Sequence, residues 1–311
     1  MFSFSRAKYS NSISTKLCVI FILAFTFFSK PGWSMEVDKE KRPSTRSLIY
    51  PCSDNFKDGR KRIMDTQDPY YRIHGQLEIT YKSKKKTGIG SGVLVGPRHV
   101  LTAAHNVFDE EYKEAEEITF NAGRNGEKKP YGSYKMVKYF CHKKWKENYE
   151  HEYDLALVIL DYPIGKKIGW AGIYAASDSN LKKLIVNMTG YPADKKDEGE
   201  DGTTMWTSKG KIDPDYIRPK DFFLNNFYTF HGQSGSGVWI KKEGPYVVGV
   251  HTHKGERKNK TVDNVSVRIT EKKIKLIQQW REQSTEKSRK DKERKKSKKK
   301  YHPKHRKDPS D

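Results

Sequence analysis

Three side chains suited to share one nucleophilic reaction stand far apart in this 311-residue chain: His105, Asp154 and Ser234. A serine hydroxyl is a poor nucleophile until a neighbouring base takes its proton, and imidazole has its pKa near working pH. His105 sits in Leu101-Thr-Ala-Ala-His105-Asn106, where two small alanines let the ring lie tightly against the body. Asp154 opens the apolar run Asp154-Leu-Ala-Leu-Val-Ile-Leu160. A carboxylate there is costly to bury unless a donor meets it. Accepting the N–H of the base would meet that cost and fix the tautomer of the base. Ser234 lies in His231-Gly-Gln-Ser234-Gly-Ser-Gly-Val-Trp239. Glycines around a serine permit unusual φ/ψ and close backbone approach, so the N–H groups of Gly232 and Ser234 can point at a developing oxyanion. Singly, these are a core histidine, a strand-start aspartate and a Gly/Ser loop; as an ordered set they point to acyl transfer by Ser234.

The elements that must position these residues read as short strands. Apolar runs at 76–81, 92–95, 117–120, 155–160, 184–188, 237–240, 246–250 and 265–269 are separated by Gly-Pro, Asn-Ala-Gly, Tyr-Pro and Glu-Gly-Pro punctuation. Many short strands without alternating long helices predict an all-β, antiparallel architecture rather than a parallel α/β sheet. One helix is predicted near the end, where Thr270 can cap a run with Ile274, Leu276, Ile277 and Trp280 near helical spacing.

The chain order His, Asp, Ser, with spacings of 49 and 80 residues, is that of chymotrypsin-like enzymes. Ser236 in place of a fifth-position glycine departs from the G-x-S-x-G elbow of α/β-hydrolases. On these motifs the chain resembles the trypsin-like serine proteases, and within them the glutamyl endopeptidase branch. Asn106 stands where trypsins usually carry a cysteine. The segment Ser234-Gly-Ser-Gly237-Val238 is similar to the branch's G-N-S-G-S-P-V, with Gln233 for Asn and Gly237 for Pro. Asp58-Gly-Arg60-Lys-Arg-Ile63 through Thr66 and Pro69-Tyr70 is similar to that branch's D-D-R-x-x-I-x-x-T-x-x-x-P-Y segment. The resemblance covers about residues 48–283. It implies two antiparallel six-stranded β-barrels with a C-terminal helix, and peptide-bond hydrolysis after acidic residues, Glu preferred. Gly249-Val250-His251 matches the branch's G-I-H, which nominates His251 for the specificity pocket, with Thr229 five residues before the nucleophile as its companion. Hydroxyl and imidazole donors can bind a side-chain carboxylate, and Lys254, Arg257 and Lys258 nearby add positive potential. Thr252-His253-Lys254 departs from the branch's aromatic-glycine continuation. His251 as a mere strand-end filler is the rival reading.

The ends differ in composition from the body. Residues 1–34 read as a signal peptide: basic residues precede an apolar run at 17–28 of a length suited to a signal h-region, with an uncleaved membrane anchor as the alternative. Residues 35–47 are polar and charged, read as a pro-segment or flexible arm, and cleavage around Arg46–Ser47 is expected to release an active enzyme from its zymogen. Residues 48–283 form the expected protease domain. Residues 284–311 hold 13 Lys/Arg against 5 Asp/Glu without apolar periodicity, read as a disordered basic tail. Cys52 and Cys141 remain after loss of Cys18 with the signal, as one disulfide or two free thiols. His253, His302 and His305 have no metal-ligand spacing and are expected in solvent or tail, so neither metal nor cofactor is expected, and no phosphate loop or dinucleotide fingerprint is present. Together these predict a secreted monomer, extracellular or periplasmic, acting on protein or peptide substrates, with polyanion or cell-surface contact through the tail. A formal net charge of +22 motivates the rival function: a polyanion- or surface-binding protein on a protease fold with weak or no proteolytic activity.

Overall fold

The computed structural model describes residues 58–83, 87–195, 202–225, 227–256 and 262–300, the backbone alone at 256, 262 and 286–300. The expected signal peptide and pro-segment, Cys18 and Cys52 lie outside the described residues, as do Arg257, Lys258, His302 and His305. Among the described residues Cys141 is a free, half-buried thiol, and burial pushes its pKa up to about 12.

The first six long strands close into one antiparallel barrel. They are β1 (His74–Tyr81), β2 (Thr87–Gly96), β3 (His99–Thr102), β4 (Lys113–Ala122), β5 (Ser133–Cys141) and β6 (Ala156–Leu160). Their ring order is β1-β2-β3-β6-β5-β4, closed by β1 on β4 from Gly75↔Ala122 to Tyr81↔Ala115. The next six repeat the plan: β7 (Ile185–Gly190), β8 (Trp206–Ile217), β9 (Asp221–Asn225), β10 (Gly237–Lys241), β11 (Pro245–Glu256) and β12 (Val262–Arg268). Their order is β7-β8-β9-β12-β11-β10, closed by β7 on β10. Closure leaves no barrel edge unpaired, which removes the usual liability of an exposed strand.

Alternating apolar side chains fill both interiors. Leu77, Val93, Leu101, Ile118, Phe120 and Leu157 lie in the first core, and Val186, Met188, Ile212, Phe222, Leu224 and Val238 in the second; all are fully buried. The run Ala156–Leu160 does not alternate, because every residue of β6 is buried. A continuous apolar run is the signature of a strand covered on both faces.

The C-terminal helix (Glu271–Lys300) covers the first barrel. Thr270 Oγ1 caps it by accepting from the Lys273 N–H at 3.3 Å. Ile277 and Trp280 are its buried apolar side chains, and Trp280 stacks on Phe140 with centroids 6.2 Å apart. The helix runs on to Lys300, and residues 301–311 of the expected tail lie outside the described residues. Ser284 is buried and pairs with His99 Nε2 at 3.3 Å, and the Lys/Glu/Arg-rich segment beyond it has strong helix propensity and no Gly or Pro before Pro303. Among the described residues no helix is long and apolar enough to cross a membrane.

Candidate active site

Register alone puts His105 and Asp154 together. Thr102, the last residue of β3, pairs with Ala156, the first of β6. The chain leaving β3 and the chain entering β6 therefore share one end of the barrel, with His105 just beyond it and Asp154 just before. His105 rides on a single 3-10 turn, Ala104–Asn106, with Ala103 and Ala104 fully buried beneath it. Asp154 follows a second such turn, His151–Tyr153.

The pair is joined twice. His105 Nδ1 lies 2.8 Å from Asp154 Oδ2, and the His105 backbone N–H donates to Oδ1 at 3.0 Å. Asp154 is 1% exposed. Burial by itself would raise its pKa, but the adjacent imidazole and its two hydrogen bonds outweigh burial and hold the carboxyl below its ordinary value. Burial by itself would lower the pKa of His105; the charge and hydrogen bond of Asp154 outweigh that and leave it raised.

Ser234 enters from the second barrel, in the turn before β10, and is half-buried, whereas Ser236 is fully buried. Its backbone is gripped by the first barrel. Ser234 O accepts from the Ser91 N–H at 2.8 Å and from Asn106 Nδ2 at 3.0 Å. Asn106 Nδ2 also donates to Thr102 Oγ1 at 2.9 Å, and Thr102 Oγ1 donates to Ser91 O at 2.8 Å. Asn106, next in sequence to His105, thus ties the Ser234 turn to the His105 turn. Among the described residues no hydrogen bond joins Ser234 Oγ to His105.

The turn requires glycine at two points. Gly232 and Gly235 have φ of +88° and +87°, a region that side-chain-bearing residues rarely adopt. A Cβ at Gly232 would also strike Tyr191 O, and one at Gly235 would strike Thr102 Oγ1 and Ser91 O. Within the turn the N–H groups of Gln233, Gly235 and Ser236 are bonded to Phe230 O, His251 O and Gln233 O. Among the described residues the N–H groups of Gly232 and Ser234 have no acceptor. Two unpaired donors flanking one serine are what an oxyanion site requires.

The expected pocket residues take up more constrained positions. Thr229 is buried, and its hydroxyl donates to Asn264 Oδ1. Its single proton is therefore already committed. His251 is 4% exposed, its backbone bonded to both Gly235 and Ser236. Burial, with His105 adding to it, pushes the imidazole pKa down to about 4, against a hydrogen bond from the ring to the Val265 backbone. Among the described residues Nδ1 of His251 has no partner. His253 corrects an expectation: it is half-buried rather than solvated, stacked on His151 at 4.2 Å and paired with Thr252 Oγ1 at 2.9 Å. The strand register of β11, which carries His251 and His253 past a bulge between them, places it there. Among the described residues no group of three or more His, Cys, Asp or Glu side chains is gathered to hold a metal ion.

The chain is similar to known proteins. The family described as Trypsin matches residues 66–276. A protein named extracellular metalloprotease from Bacillus subtilis is 30% identical over 259 residues, 82% of this chain and 77% of that protein. A glutamyl endopeptidase from Bacillus licheniformis is 29% identical over 259 residues, 79% of this chain and 74% of that protein. The solved structure of a Glu endopeptidase in complex with MPD superposes with a TM-score of 0.61 at 23% identity, covering 71% of this chain and 96% of that one. The match to that structure speaks to the fold. With the family match spanning most of both barrels, the chain belongs to the trypsin family of serine proteases.

Proposed function

We propose that the protein is a secreted serine endopeptidase in which Ser234, His105 and Asp154 act as a catalytic triad. The observation that carries this reading is the twice-bonded Asp154–His105 pair beside a serine whose own N–H, with that of Gly232, is left without an acceptor. His105 Nε2 takes the proton of Ser234 Oγ as the oxygen attacks the peptide carbonyl, and later returns it to the leaving amine. Asp154 keeps Nδ1 protonated and stabilises the imidazolium that forms. The Gly232 and Ser234 N–H groups receive the oxyanion. The absent Ser234–His105 hydrogen bond is compatible with this, since such bonds often tighten only when substrate binds.

Cleavage after acidic residues is the finer part of the reading. It is supported by the name of the B. licheniformis relative and by the buried, unpartnered His251 Nδ1. A carboxylate beside that ring raises its pKa, so acidic substrates bind together with a proton. Thr229 must turn its hydroxyl away from Asn264 to donate to the same carboxylate. Signal removal after residue 34, pro-segment removal around Arg46–Ser47, action as a monomer and surface contact through the basic tail complete the proposal. It is tested with purified protein on peptides that differ only in the residue before the scissile bond. Faster turnover with Glu than with Gln, Lys or Arg is expected. Turnover of Lys or Arg peptides alone would remove the acidic preference, and binding of heparin without turnover of any peptide would favour the polyanion-binding alternative.

A further inference from the structure

The turn that carries Ser234 is braced from behind by a buried cation. Arg60 lies just before a two-residue strand, Lys61–Arg62, that pairs with β8 through Lys61↔Thr207 and Arg62↔Trp206. Its side chain is 0% exposed. A guanidinium so placed must satisfy its donors within the protein, and it does so on three sides. Nε and Nη2 donate to the Asp58 carboxylate, at 3.0 and 2.8 Å to its two oxygens. Nη1 and Nη2 form a fork on Asp194, at 2.9 and 2.5 Å. Nη1 also donates to Gln233 Oε1 at 3.2 Å.

Two of these partners, Gln233 and Asp194, are attached to the nucleophile's turn. Gln233 is fully buried and stands between Gly232 and Ser234, the two residues with unpaired N–H groups. Its Oε1 accepts a second bond from the Phe230 N–H at 3.0 Å, which closes the turn on itself. Asp194 is adjacent to Ala193, whose N–H donates to His231 O at 2.8 Å. The plane of the guanidinium lies over the Tyr228 ring, 4.6 Å from its centroid. Residues 228, 231 and 233 are thus all tied, directly or through one neighbour, to a single side chain from the start of the described chain.

The charges balance locally. Lys195 Nζ reaches Asp58 at 2.9 Å, so Arg60 and Lys195 face Asp58 and Asp194. Burial would raise the Asp58 pKa, but the bonds from Arg60 and Lys195 outweigh it and hold the carboxyl at about 2. Asp58 and Arg60 therefore stay ionised throughout the pH range of peptide hydrolysis. Only a guanidinium offers donors in a planar fork that can meet Asp58, Asp194 and Gln233 at once.

We propose that Arg60 is a positioning residue for the oxyanion site: through Gln233 and Asp194 it fixes the 228–234 turn so that the Gly232 and Ser234 N–H groups converge on the reacting carbonyl. Arg60 touches no substrate, and its effect falls on the transition state rather than on substrate binding. A shift of about 1 Å in such a donor costs on the order of 10²-fold in rate, while ground-state contacts in the pocket are left in place.

The inference rests on Ser234 being the nucleophile, and the test separates the two. Full-length protein is treated with a fluorophosphonate probe, in which Ser234 Oγ bonds to phosphorus, fluoride leaves, and the serine proton passes to His105. Label site and rate are read by mass spectrometry, beside kcat and KM for a peptide and a thermal melt. Arg60→Ala should slow labelling and lower kcat about 10²-fold with KM little changed, and added guanidinium ion at millimolar concentration should restore part of the loss. Gln233→Leu keeps Arg60 paired with both carboxylates but removes its direct hydrogen bond to the turn, and should reproduce most of the kinetic loss without a comparable fall in melting temperature. The double variant should lose no more than the worse single one. If Gln233→Leu labels at the wild-type rate, or Arg60→Ala raises KM with kcat unchanged, the positioning role is overturned while the nucleophile stands. If wild-type protein is not labelled at Ser234, the proposed function falls and this inference falls with it.

Discussion

Replacing Asp154 by Asn removes one charge and almost no volume, and its consequence can be worked from the two bonds that Asp154 accepts. The amide oxygen of the new side chain can still receive the His105 backbone N–H, now made at 3.0 Å. Its NH₂ group then faces His105 Nδ1 across the 2.8 Å contact. A donor there selects the tautomer with the proton on Nε2, which has no lone pair for the Ser234 hydroxyl. The imidazolium formed during attack also loses a buried counter-ion, a penalty of about 3–5 kcal/mol. At about 1.4 kcal/mol per tenfold, that alone is roughly 10²- to 10⁴-fold, and the wrong tautomer puts the expected loss of kcat near the upper end, about 10⁴-fold. The pH profile carries an independent signature. In the wild type Asp154 outweighs burial and raises the pKa of His105. Without that charge burial prevails, so the rising limb of kcat/KM against pH moves to lower pH in Asp154→Asn. Steady-state kinetics from acid to mildly alkaline pH on one peptide would read both effects. A variant within about tenfold of wild type, or one whose rising limb stays in place, would refute the assignment of Asp154.

Gly235→Ala forces a side chain onto a φ of +87° and into Thr102 Oγ1 and Ser91 O; a loss of about 3 kcal/mol is expected by urea denaturation, and a change below about 0.5 kcal/mol would contradict the turn geometry. His251→Ala should abolish the preference for Glu over Gln while leaving the Asp154-dependent chemistry intact, read as a kcat/KM ratio that approaches one; an unchanged ratio would remove His251 from the pocket. In the wild type, KM for Glu peptides should fall as pH drops from mildly alkaline to mildly acidic, because the bound carboxylate recruits a proton to a ring whose free pKa is about 4; a pH-independent KM speaks against it. Stability has the opposite dependence. Burial holds His74 at about 3 and His251 at about 4, both below the ordinary value of about 6.5. The unfolded chain therefore binds more protons between those values and about 6.5. Each such histidine removes up to about 1.4 kcal/mol per pH unit as pH falls through that window, and equal urea midpoints at about pH 7 and about pH 5 would contradict it.

The sequence was most legible where chemistry and strand pattern coincide. His105 and Asp154 flank the strands β3 and β6, and the apolar run after Asp154 announced a buried strand whose register then brings the two together. Four barrel strands escaped the pattern. β3 (His99–Thr102) is only four residues long and follows β2 after a two-residue turn. β5 (Ser133–Cys141) is half-exposed and interleaved with lysines. β8 (Trp206–Ile217) carries Pro214 and a register shift between Ile212 and Ile217. β9 (Asp221–Asn225) follows it too closely to stand out as a separate apolar run. The grip of Asn106 and Ser91 on Ser234, and of Arg60 on Gln233, joins residues up to 173 positions apart. No local periodicity encodes such contacts. Residue type is no guide to Arg60 either, since it opens the basic run Arg60-Lys61-Arg62, which reads as a solvated surface.

The central claim is that Ser234 is the nucleophile of a peptide-cleaving triad. Its most direct measurement is the turnover of a Glu-containing peptide by wild-type protein and by Ser234→Ala, with matching circular dichroism spectra to show that both are folded. The account predicts hydrolysis by the wild type and a loss of about 10⁶-fold in kcat in the variant. Hydrolysis by Ser234→Ala at the wild-type rate would contradict it.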